Sequence, residues 1–251
     1  MLSTKSNLSL TKKEQSMKKI IIGAAIALVM STSLFANTWT NNIGLGFSVP
    51  VTNYKAKDSI FYDTATTSTD KKTEVAFDIQ GMYLGYHQNG FTVKGALSLG
   101  IGTISDLYPE DGSMQRGIGV NIVETLGIGY SFIRSDKAVL ALTAGIGLQE
   151  GIYPRKVKLI TGINSSEEHD VTDTLFTFNL GADLTAVIRS SEKFGFYASL
   201  YAGWIPTGFV KSEDKVEVTS GGTTSSTTKS ITEDLNGTFF FAPTIGVVWT
   251  F

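Results

Sequence analysis

The chain holds two histidines, His87 and His169, and no cysteine. Without cysteine there is no disulfide, thiolate nucleophile or thiolate metal site, and two distant histidines argue against a histidine-rich metal centre. Nucleophilic hydrolysis needs a serine within reach of a histidine that a third group orients. His87 opens the turn-like "HQNG" and His169 lies in the acidic stretch "SSEEHD", and neither shows such a constellation. No enzyme and no cofactor are therefore expected. The "GLG" and "GIG" pairs resemble pieces of a phosphate loop, but no helical pattern follows them. What remains is a set of charges, Glu74, Asp78, Lys94, Asp183, Arg189 and Glu124, spaced along segments of alternating character. In a confined interior such charges line a narrow ion path or, as we expect, pair with one another and with polar neighbours, because an unpaired buried charge is costly.

The elements that must hold these charges are strands. No stretch after Ala36 sustains a period of 3.6, whereas apolar residues recur at every second position in eight segments, at about 39–51, 73–86, 91–102, 118–133, 138–149, 173–189, 194–207 and 238–251. The connections alternate between long polar stretches (52–72, 103–117, 150–172 and 208–237) and tight turns at 87–90, 134–137 and 190–193. A membrane barrel with short turns on one side and long loops on the other has that asymmetry. The fold class expected is an all-β, eight-stranded, antiparallel up-and-down transmembrane barrel with four mobile loops. The last of these, alternating around Gly221 and Gly222, is expected to form an exposed hairpin.

Parity tells which face is apolar. In the sixth segment Phe176, Phe178, Leu180, Ala182, Leu184, Ala186 and Ile188 oppose Thr177, Asn179, Gly181, Asp183, Thr185, Val187 and Arg189. The second set is small and polar, so the first must face lipid. Twelve glycines share the polar parity, as the narrow lumen of an eight-stranded barrel demands if it is also to hold Tyr197, Tyr201 and Phe240. Outward aromatics fall into two groups: Trp39, Phe91, Tyr130, Phe132, Phe194, Phe196, Trp249 and Phe251 near the short turns, and Phe47, Phe77, Phe176, Phe178, Trp204, Phe239 and Phe241 toward the long loops. Two such belts suit two membrane interfaces. Glu124 shares the outward parity of Leu126 and Ile128. Either a β-bulge turns it into the lumen, the reading we favour, or it sits at the outer interface.

Residues 17–36, "MKKIIIGAAIALVMSTSLFA", have a basic start, an apolar core of eleven residues and a small residue, Ala36, at the expected cleavage point of a signal peptide. The core is too short for a membrane-spanning helix of about 20 residues. Residues 1–16 are polar and suggest that Met17 is the true start, leaving 37–251 as the barrel. The net charge of −2 becomes −6 once the five lysines and one glutamate of 1–36 are removed, which argues against nucleic-acid binding.

On these patterns and on the terminal "TIGVVWTF", the chain resembles the small eight-stranded outer-membrane proteins: the OmpA transmembrane domain, OmpX, OmpW and the short barrels of spirochaetes. The resemblance implies residence in the bacterial outer membrane as a monomer among lipids. It also implies that Ile245, Val247, Trp249 and Phe251 form the signal read by the barrel-assembly machinery. Lipid-deacylating barrels place histidine directly before serine, whereas His87 precedes Gln88 and His169 precedes Asp170. The function expected is structural or adhesin-like, with external ligands engaged through the loops. The alternatives are a narrow channel or conduit for small hydrophobic molecules, and a soluble lipocalin-like binder. Burying a phenylalanine is worth only about 1.5–3 kcal/mol. Phe251→Ala should therefore sharply lower outer-membrane insertion in cells while the purified variant still refolds in detergent as a heat-modifiable barrel; normal insertion in cells would remove the signal role.

Overall fold

The computed structural model describes residues 39–57, 69–105, 114–116, 118–162, 165–220, 222–235 and 238–251. The signal peptide, its Ala36 cleavage point and the extension 1–16 lie outside the described residues. Eleven strands follow in order: β1 (Trp39–Ser48), β2 (Val51–Lys57), β3 (Thr69–His87), β4 (Phe91–Ser105), β5 (Met114–Arg116), β6 (Gly119–Arg134), β7 (Ala138–Gly162), β8 (Ser165–Arg189), β9 (Phe194–Ser220), β10 (Thr223–Leu235) and β11 (Thr238–Thr250).

Eight of them close a ring. β1 pairs with β3, and each of β3, β4, β6, β7, β8 and β9 pairs with the next wall strand, ending on β11. β11 returns to β1 with Phe47 opposite Ile245 and Ile43 opposite Trp249. The seam reaches the last residue, since the Phe251 and Asn41 backbones exchange bonds of 3.0 and 3.1 Å. All pairings are antiparallel, so the described wall is the up-and-down barrel that the alternation implies. β2 continues β1 past Pro50, β10 leads into β11, and β5 pairs with β7.

Three tight turns gather at one end. In the first, Gly90 has φ of +98° and donates its N–H to the His87 carbonyl at 2.8 Å, a conformation that favours glycine. At the other end the structure corrects the sequence reading. Much of 150–172 and 208–237 is strand, and β7, β8 and β9 run for 25, 25 and 27 residues, well beyond the roughly 9–11 needed to cross a bilayer. Their polarity marks strands wet on the outer face. The hairpin around Gly222 is present, with Ser220 opposite Thr223.

A β-bulge re-phases β9. Phe178 pairs with Thr207 but Leu180 with Trp204, so β9 carries an extra residue beside Pro206. Proline cannot donate to the ladder, and the bulge absorbs it. Below it the odd residues of β9 point inward; above it Gly208, Val210, Ser212 and Asp214 do.

The outward parity is exposed and apolar around the ring, from Phe47 at 70 % through Phe77, Leu99, Ile128 and Leu184 to Ile245 at 68 %. A closed sheet with this exterior is a transmembrane β-barrel, and a soluble lipocalin-like arrangement is excluded because its apolar side would face inward. Inside, Gly127, Gly145, Gly181 and Gly203 stand opposite one another across four strands. This bare row leaves room for Tyr201, whose Cε1 lies 3.1 Å from where a Gly203 Cβ would be. A Cβ on Gly145 would meet the Leu126 carbonyl and lie 2.5 Å from the Gly127 Cα, both backbone atoms that cannot swing aside. Gly145→Val should cost about 1–3 kcal/mol in urea unfolding from lipid vesicles. Gly81→Ala, which meets nothing nearer than 3.9 Å, should stay within about 0.5 kcal/mol of the parent.

Candidate functional site: a filled lumen beneath an outer sheet

The lumen is stacked in alternating polar and apolar layers. At the short-turn end the Arg189 guanidinium donates to Thr250 Oγ1 (3.1 Å), the Ser135 carbonyl (3.1 Å), Tyr86 Oη (2.9 Å) and Asn42 Oδ1 (3.3 Å). One side chain thus ties β8 to β11, β3, β1 and a turn. Above it Met82, Leu84, Val139, Val187, Tyr197 and Val248 pack as a buried apolar layer.

The next layer holds Lys94, whose Nζ lies 2.6 Å from Asp183 Oδ1 and donates to Thr185 Oγ1 at 2.7 Å. Thr185 in turn donates to Asp183 at 2.5 Å. Two voids of about 10 Å³, one water molecule each, flank Asp183 and Tyr201. A second apolar layer of Val123, Tyr201, Ile205, Phe240 and Ala242 closes over them.

Higher still, Gln149 donates to Glu74 at 2.8 and 2.9 Å and to Asn121 Oδ1 at 3.2 Å, while its own carbonyl accepts from Thr52 at 2.8 Å. Tyr153 also donates to Glu74, and Asn121 donates to Asp78 at 3.0 Å. Glu74 and Asp78 therefore belong to one hydrogen-bonded chain. Tyr153, Leu175, Val210 and Leu235 form a third apolar layer.

Five of the six charges singled out from the sequence thus divide into three groups, with Glu74 and Asp78 above, Lys94 and Asp183 in the middle, and Arg189 at the base. Glu124 stands on the other face of the wall. Its ladder runs in unbroken register between Leu97 and Leu148, so no bulge turns it, and it stays half-buried on the outward parity. The nearest irregularity in β6 is at Ser131–Ile133, close to the turn. The inner face, small and polar along the sixth segment, nonetheless builds buried apolar clusters, because inward apolar residues of separate strands, such as Val123 of β6, Ile205 of β9 and Phe240 of β11, converge when the ring closes. Asn42, Asn121, Gln149 and Tyr153 went unnoticed as partners because they carry no charge, although their inward parity and polarity were the available signal.

Above the third apolar layer the inner wall of the outer sheet carries a second polar patch. His169 Nδ1 lies 2.8 Å from Asp214 Oδ2 and its Nε2 3.3 Å from Glu167, while Ser212 donates to Asp173. His169 is on strand β8, where the sequence reading placed a loop. On the outer face Lys156–Asp170, Lys211–Glu213 and Lys215–Glu217 pair at 2.9, 2.5 and 2.6 Å. The hydrogen bonds to Asp170 and Glu217 raise the pKa of Lys156 and Lys215 respectively. β10 pairs only with β9 among the described residues, and from Thr223 to Thr232 it is exposed on both faces.

Lys94 is 3 % exposed. Lys94→Met, which strands Asp183 without its cation, should cost about 3–5 kcal/mol in urea unfolding from vesicles, and the double variant Lys94→Met/Asp183→Leu should recover most of that loss.

No protein-family model and no curated protein matches the chain. Among solved structures it is similar to Ail, the attachment invasion locus protein of Yersinia pestis, with 10% identity, 85% of this chain and 99% of that one covered and a TM-score of 0.41. For the outer membrane protease OmpT of Escherichia coli the values are 12%, 86%, 97% and 0.44. For a major outer membrane protein of Thermus thermophilus they are 10%, 82%, 99% and 0.45.

Proposed function

We propose that this outer-membrane barrel is a surface-interaction protein, in which the membrane wall anchors an extracellular sheet and the β9–β10 hairpin meets the partner. The observation that carries this reading is the contrast between the two ends of the fold. The lumen is filled by three buried apolar layers, whereas β10 stands clear with ten consecutive exposed residues.

A two-residue hairpin places its closing residues in a hydrogen-bonded pair. From Ser220 opposite Thr223, odd residues of β10 bond to β9 and even residues turn N–H and C=O toward the free edge. That edge has no proline and a single lysine, Lys229, so it lacks most devices that keep edges from pairing. An extended segment of a partner can add to it as a further strand. The reading is non-enzymatic, and no polar patch in the fold is assigned a catalytic role.

The test is to replace residues 217–226 by a two-residue turn across the hydrogen-bonded Val216–Thr227 pair. The variant should remain a heat-modifiable barrel, and cells carrying it should lose most adhesion to immobilised serum and matrix proteins relative to the parent. In planar bilayers the parent should show no steady conductance. Reproducible single-channel steps, or adhesion unchanged by the replacement, would reject the reading.

A further inference from the structure

The lipid-facing wall is interrupted by a groove of about 440 Å³, within the roughly 300–1,000 Å³ typical of small-molecule sites. Its origin is a cross-strand pattern. Ala186 stands opposite Ala198 and Ala198 opposite Ile245, while in the next row Ile188 opposes Phe196 and Phe196 opposes Val247. The two alanines form a low floor, with Ile188 and Phe196 rising on one side and Ile245 and Phe47 on the other.

Depth and charge identify the occupant. From Ala198 to Lys193 is five residues, roughly 16 Å along a strand rising about 3.3 Å per residue and less in depth because the strands tilt by about 35–45°. The groove therefore lies in the half of the roughly 30 Å hydrocarbon core next to the short turns, which is the periplasmic leaflet. Below it the Lys193 carbonyl accepts the Thr250 N–H at 3.0 Å, and the Lys137 carbonyl accepts the Arg189 N–H at 2.8 Å, so both lysines sit at the foot of the strands that bound the groove. Both are exposed, and each follows an exposed acid on its own turn, Glu192 and Asp136. A rim of alternating charge under an apolar groove fits a headgroup carrying both a phosphate and an amine.

We propose that the groove holds one acyl chain of an inner-leaflet phospholipid whose phosphate meets Lys193 and whose amine meets the neighbouring acids. This site is separate from the outer sheet and does not depend on its function. The probe is phosphatidylethanolamine, added to the purified barrel in mild detergent and followed by native mass spectrometry. The expected result is retention of one lipid per chain, lost in Ala198→Phe, which fills the floor, and weakened about fivefold in Lys193→Glu. Ala198→Phe should remain heat-modifiable, and Leu99→Phe on the opposite wall should bind as the parent does. Absence of a retained lipid, retention unchanged by Ala198→Phe, or loss of lipid from a variant that no longer folds as a barrel while a smaller filler, Ala198→Leu, still binds, would overturn the proposal. Equal retention of a lipid lacking the amine would overturn the headgroup assignment, and a two-chain species abolished by Ala198→Phe would give the groove to a second copy instead.

Discussion

A β-sheet in hydrocarbon has no water to satisfy an unpaired edge, and each stranded backbone group there costs several kcal/mol. The pairing of β11 with β1 removes that cost, and the rest of the molecule depends on it. Because the last strand must meet the first, the wall is a closed cylinder with an apolar outside and a narrow inside. The exposed exterior residues and the glycine row are two sides of this one constraint, for a lumen as thin as an eight-stranded ring admits a Tyr201 or a Phe240 only where the facing wall has no side chains.

Within the cylinder, polar groups must find partners at their own level, because the apolar layers above and below offer none. The result is a series of locally satisfied sets: Arg189 with the strand ends, Lys94 with Asp183 and Thr185, and Glu74 with Gln149 and Tyr153. The same packing leaves little free volume inside the ring. Beyond the bilayer both faces of the sheet can meet water, the demand for strict apolar alternation lapses, and β10 can be built of threonine and serine.

This change of solvent is why the sequence reading succeeded in one region and failed in another. From β1 to β11 the membrane enforces a period of two, and the strand segments, their inner and outer faces and the inward glycines were all legible. In the upper parts of β7, β8 and β9 the outer residues are polar on a wet surface, and strands such as "HDVTDT" and "VKSEDKVEV" look like loops. The inward positions Val171, Asp173 and Leu175 do alternate there, but three residues between charged neighbours are a weak signal.

By itself the sequence determined the barrel, its orientation of faces and the inward parity of Glu74, Asp78, Lys94, Asp183 and Arg189, because each follows from parity along a single strand and the bilayer selects that parity. The tertiary structure alone decided which of those charges meet. Lys94 and Asp183 come from β4 and β8, and Glu74 and Gln149 from β3 and β7, so their meeting depends on strand stagger around the ring. It alone kept Glu124 outward, placed a bulge beside Pro206 and converged apolar residues from several strands into closed layers. Parity is a property of one strand, whereas register and closure belong to the whole ring.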